Sequence, residues 1–89
     1  MVSGKARKQL KALSEDVRAS YFVLAKELEL VGPYRNNWSH YGKLRGTNAA
    51  FHCHIASGRT TYVACWEVID KKIRIIEVNY VGTHEGAPY

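Results

Sequence analysis

Cysteine, proline and methionine are scarce in this chain of 89 residues, numbering two, two and one. The two cysteines, Cys53 and Cys65, are too few for a disulfide scaffold, and they lack the close pairing of a zinc ribbon. Both are expected to be reduced and to behave as small apolar residues. No repeat or low-complexity segment interrupts the chain. No apolar run approaches the roughly 20 residues that a membrane-spanning helix needs. The first residues lack the basic-then-apolar pattern of a secretory signal. These absences predict a soluble, cytoplasmic protein without a membrane partner. Acidic residues are also in deficit, eight against thirteen Lys and Arg, which leaves a net charge of +5. Such a balance suits polyanionic partners or a partner chain with acidic segments, although many basic domains bind no nucleic acid.

What is present is apolar and aromatic. Hydrophobic residues make up 46% and aromatics 11%, as expected for one small domain over residues 1–89 with one core. In the first third, Ala6, Leu10 and Leu13 recur at helical spacing, with Lys5, Arg7, Lys8 and Lys11 on other faces. Ser14 reads as the N-cap of a second helix, and Glu15 and Asp16 suit its first turn. Val17, Tyr21, Leu24, Leu28 and Val31 then follow one face. Gly32 and Pro33 end it. The expectation is two helices in an antiparallel hairpin.

Residues 33–48 read as a loop rich in Gly, Asn, cations and aromatics. Strand patterns follow. In "AAFHCHIA", Phe51, Cys53 and Ile55 alternate with His52 and His54. "SGR" reads as a turn, "TTYVACWEVI" as a central strand, "DKK" as a second turn, and "IRIIEVNYV" as a third strand. A two-residue turn at Asp70-Lys71 would set Glu67 opposite Arg74. The predicted fold is α+β: two N-terminal helices packed on one face of a small antiparallel sheet. The other face, bearing His52 and His54, is left open.

The i, i+2 histidines aim the same way, about 7 Å apart along the strand. They could hold zinc with His84 as a third ligand, move protons, or bind phosphate. They could equally be two solvated polar residues. The spacing places no carboxylate or cysteine on their face, which weakens the metal reading. His84 and Tyr89 lie in the tail, "GTHEGAPY", which either folds back over the open face or stays disordered. Lys43, Arg45 and Arg59 could cradle phosphate or be ordinary solvated cations. Trp38 and Tyr41, interleaved with Arg35 and His40, could stack bases, while Trp38 and Trp66 could serve the core instead.

In its second half the chain resembles toxins of the RelE/ParE superfamily of bacterial type II toxin–antitoxin systems. The likeness rests on the order of Lys43-Leu44-Arg45-Gly46, the strand "FHCHI", the segment "SGRTTYVACWEV", and "DKKIRIIEVNYVGTHEGAPY". It spans about residues 5–89 and is strongest over 43–89. The resemblance implies two helices on a curved antiparallel sheet, with the family's usual first strand absent here. It implies an mRNA endoribonuclease (mRNA interferase) acting in the ribosomal A site, in contact with the ribosome and its 16S rRNA, and neutralised by a cognate antitoxin. His52 and His54 stand where the RelE pattern has two lysines, His84 matches its basic residue after Val-Gly, and Tyr89 matches its tyrosine. The arginine of the following strand has no match, and Arg59 is the nearest substitute.

On this reading no metal or other cofactor is required. His52 or His54 would take the 2′-OH proton, and His84 would act as acid or phosphate ligand. Lys43, Arg45 and Arg59 would supply cations, and Tyr89 would orient a base. An imidazole titrates near 6.5, so it needs less tuning than lysine for proton transfer at pH 7. The alternative is a binding module without nuclease activity, either a gyrase-directed ParE-like toxin or a degenerate toxin acting only with its antitoxin in operon repression.

Overall fold

A computed structural model of the chain describes residues 1–44, 49–70, 72 and 75–89. Helix α1 spans Gly4–Lys11 and helix α2 spans Glu15–Val31. Strands β1 (Gly42–Lys43), β2 (Ala50–Ala56), β3 (Tyr62–Asp70) and β4 (Ile75–Thr83) follow as one antiparallel sheet in the order β1-β2-β3-β4. The α+β architecture read from the sequence is therefore the architecture of the protein. The fourth strand, β1, comes from the tail of the segment read as loop.

Both helices begin on serine. Ser3 Oγ accepts from the Ala6 N–H at 3.1 Å, and Ser14 Oγ accepts from the Val17 N–H at 3.4 Å. Gly32 takes φ +103°, open to glycine at little cost, and its N–H closes α2 on the Leu28 carbonyl. The helices pack on the sheet far more than on each other, α1 along β4 and α2 across β2 and β4. Their apolar residues are spent on the sheet: Ala6 and Leu10 from α1, and Val17, Tyr21, Leu24 and Leu28 from α2, are buried there. Val31, expected on the same face, is 62% exposed because it lies at the helix end, past the sheet.

Phe51, Cys53 and Ile55 from β2 meet Ala64 and Trp66 from β3 and Val78 and Val81 from β4 in this core. Trp66 is fully buried and donates its Nε1–H to the Pro33 carbonyl at 3.1 Å. Burying an indole without a partner for that N–H would forfeit part of the gain. The opposite face carries a second, smaller apolar group of Val63, Cys65 and Tyr80, with Ala87 of the tail packed on it.

The β3–β4 connection differs from the expected two-residue turn. Asp70 pairs with Ile75, and the Asp70 carboxylate accepts from the Lys72 N–H at 2.9 Å, a side-chain-closed turn. This register sets Glu67 opposite Glu77, not Arg74, which itself lies outside the described residues. Two carboxylates facing each other repel, and Asn79 relieves Glu67 by donating to it at 3.2 Å.

The outer edge of β4 is covered. Val2 forms a parallel bridge with Val78, and the Ser3 and Val78 N–H groups donate to the carbonyls of Val78 and Met1. Further along, the Val81 N–H donates to the Gln9 side chain of α1 at 3.0 Å. An edge amide blocked in this way is no template for another strand. No described helix is long and apolar enough to cross a membrane.

Candidate functional site

The site lies on the sheet face opposite the helices. Strand alternation turns His52 and His54 of β2 to this side, half-buried, as the sequence pattern requires. The tail then folds back over them. Tyr80 is the post on which it turns: its hydroxyl donates to the Thr83 carbonyl at 2.7 Å. Gly82 and Gly86 crowd that hydroxyl so closely that a Cβ on either would sit 2.8 or 2.9 Å from it. The His84 N–H donates to the Thr61 carbonyl, and the Gly86 N–H donates to Thr83 Oγ1. Of the two fates open to the tail, it is the ordered one that the structure has.

Rings converge as a result. Tyr89 stacks on His52 with centroids 4.2 Å apart. His84 meets His54 edge-on at 5.4 Å and Tyr89 edge-on at 5.9 Å. His40, from the loop before β1, stacks on His54 at 4.1 Å with the planes 17° apart. All four histidines of the chain thus share one face with Tyr89. The sequence gives no spacing that would link His40 to β2; only its place in an aromatic and cationic loop hints at a site.

His52 and His54 are both held below the ordinary imidazole value, chiefly because burial disfavours the charged ring, and then because neighbouring histidines repel a second charge. For His52 those neighbours are His84 and His40; for His54 they are His40, His84 and His52. Both rings are therefore mostly neutral at pH 7. His52 Nδ1 is buried and has no hydrogen-bond partner among the described residues. Burial also raises the Tyr89 phenol, so it stays protonated.

The cations distribute unevenly. Arg59 lines a pocket of about 350 Å³ with Thr60, Thr61, Thr83, His84 and Glu85, so one arginine, three threonines and one carboxylate residue border it together with His84. Lys43 is paired with Phe51, a core residue, so it leaves the sheet on the helix side. It does not join the histidines, because a one-residue step along a strand changes the face. Arg45 lies outside the described residues.

Cys65 corrects the expectation that no cysteine shares the histidine face. It is paired with His52, and its alternation puts it beneath the rings. Glu67, two residues along the strand, lies on that face too. Burial pushes the Cys65 thiol up to about 12, so it is an inert part of the floor. Cys53 is in the main core, likewise raised to about 12 by burial. Among the described residues no three His, Cys, Asp or Glu side chains are placed to hold one metal ion.

Comparison with protein-family models, with curated proteins and with solved structures finds no match for this chain.

Proposed function

We propose that this protein is a cytoplasmic endoribonuclease that cleaves mRNA in the ribosomal A site by acid–base chemistry, as the toxin of a toxin–antitoxin pair. The observation that carries the reading is the meeting of His52, His54, His84 and Tyr89 on one exposed face. Cleavage by 2′-OH attack needs a base, an acid and charge stabilisation. His54 or His52, neutral at pH 7, takes the 2′-OH proton. The 2′-oxygen bonds to phosphorus as the bond to the 5′-oxygen breaks. His84 donates a proton to that leaving oxygen. The products are a 2′,3′-cyclic phosphate and a 5′-hydroxyl, with no net consumption of protons. Arg59 and the threonine hydroxyls beside His84 suit the charge that develops on the phosphate oxygens. The exposed part of Tyr89 offers a nucleobase a stacking surface.

The resemblance to RelE-type toxins supplies the substrate class and the antitoxin partner. The exposed cations Lys5, Arg7, Lys8 and Lys11 of α1 favour contact with ribosomal RNA.

One observation favours the alternative of a binding module, gyrase-directed or acting only with its antitoxin. Among the described residues, Arg59 is the one arginine or lysine lining the pocket at His84. Primer extension on mRNA from induced cells separates the readings. Cuts within codons, in frame, are the expected result. Intact mRNA with DNA damage would replace the nuclease by a gyrase poison, and intact mRNA and DNA would leave only the binding role.

A further inference from the structure

We infer that His40 is a positioning residue that sets the orientation and protonation of His54, and that Glu27 is the anchor that holds it in place. The inference deepens the nuclease reading, since it rests on His54 as a proton acceptor, but its geometry stands by itself.

His40 is in an unfavourable conformation. Its φ is +54°, in the left-handed region that few residues other than glycine adopt. Something must hold it there. The segment around it, residues 33–41, is tied down at both ends and in the middle. Pro33 accepts from Trp66, and the rings of Tyr34 and Tyr41 lie against Phe51 at 5.6 and 5.9 Å. Between them, one oxygen of Glu27 accepts from Arg35, Asn37 and Trp38 at 3.0, 2.9 and 2.9 Å. Those bonds, Asn37's first, keep the Glu27 carboxyl ionised below its usual range. A side chain of α2 thereby fixes a loop that reaches the opposite face of the sheet.

Two contacts pass this order on to β2. The Ser39 carbonyl accepts from the His54 N–H at 2.8 Å. Ser39 Oγ sits 2.9 Å from His40 Nδ1, which orients the ring that covers His54. The groups facing His54 are then His40 from the loop, His52 from its own strand and His84 from the tail, with Arg59 and Glu85 beyond His84. Its β3 partner, Val63, is uncharged. His40 makes the closest ring contact. It removes water from one face of His54 and opposes a second positive charge, and both effects favour the neutral ring.

The test follows each imidazole by long-range nitrogen–proton NMR through a pH titration, without RNA. His40→Asn is suitable because asparagine tolerates positive φ. It should raise the His54 midpoint. Glu27→Ala, at a half-exposed position, should move that midpoint the same way while circular dichroism stays unchanged. Glu27→Gln, which keeps an acceptor oxygen, should restore it largely. The double variant should match His40→Asn alone, because Glu27 acts through His40. An unchanged His54 midpoint in either His40→Asn or Glu27→Ala overturns the inference. A parent protein that cleaves no RNA but shows these shifts would count against the nuclease and support the role of His40.

Discussion

Tyr89 lies face to face with His52, their centroids 4.2 Å apart and their planes 26° from parallel. One ring belongs to the strand next to the sheet's edge and the other to the tail beyond β4. The contact closes the tail over the candidate site and covers one face of the His52 ring. It also gives the site a removable cover.

Replacing Tyr89 by alanine should therefore uncover His52. Burial is the leading cause of its lowered pKa, so the His52 midpoint should rise toward the ordinary imidazole value of 6.5. NMR titration of the ring reads this directly. The melting temperature should change little, because Tyr89 is 47% exposed. A His52 midpoint equal to the parent's would show that the stack does not shield it.

His54→Ala should reduce mRNA cleavage on ribosomes about 10²-fold or more, the scale of lost acid–base catalysis. The side chain is outside the main core, so circular dichroism should match the parent. Single-turnover cleavage of a ribosome-bound message measures the loss. Parent-like activity would remove His54 from the mechanism.

Stability should fall as the solution is acidified through the histidine range. The folded values of His52 and His54 are depressed, so the unfolded chain binds protons first. The contribution of the neutral rings is thus fully present above about pH 6.5, the unfolded value, and is lost progressively as pH falls from there to their folded values. Glu27 also loses its advantage on acidification, but only below the carboxylate value of 4.5. Urea midpoints measured from pH 8 to pH 5 should show the decline, and a His52→Gln, His54→Gln double variant should show a flatter profile. A parent profile that is level across this range would contradict the burial of the two rings.

Tyr80→Phe should loosen the tail without disturbing the sheet. It removes the 2.7 Å bond from the phenol to the Thr83 carbonyl, worth about 0.5–1.5 kcal/mol. The ring itself still packs on Val63 and Cys65. Faster amide exchange at Gly86 and Ala87, with unchanged exchange in β2 and β3, is the expected pattern. Gly82→Ala should act similarly, since its Cβ would meet the phenol oxygen at 2.8 Å.

Much of this was legible in the residues. Helical spacing located α1 and α2, the Ser14 cap located the start of α2, and Gly32 located its end. Alternation in "FHCHI" put Cys53 in the core and the two histidines on the other face. These are local rules, set by the 3.6-residue turn and the two-residue pleat. The β3–β4 register was not legible, because the connection is longer than the expected two-residue turn and the pairing shifts between Val68 and Asp70 without leaving a residue signature. That is why Glu67 meets Glu77.

The sequence by itself determined the two helices and the strands β2, β3 and β4, and the pairing of His52 with His54 on one side. Only the tertiary structure decided what joined them. His84 and Tyr89 arrive because Tyr80 and two small glycines let the tail turn back, and Cys65 and Glu67 share the face because of strand register. His40 arrives because Glu27, eight residues before Arg35, gathers the donors of an intervening loop. Local spacing specifies where a side chain points from its own element. Which distant side chain meets it depends on hydrogen bonds and packing between elements, and those exist only once the chain has folded.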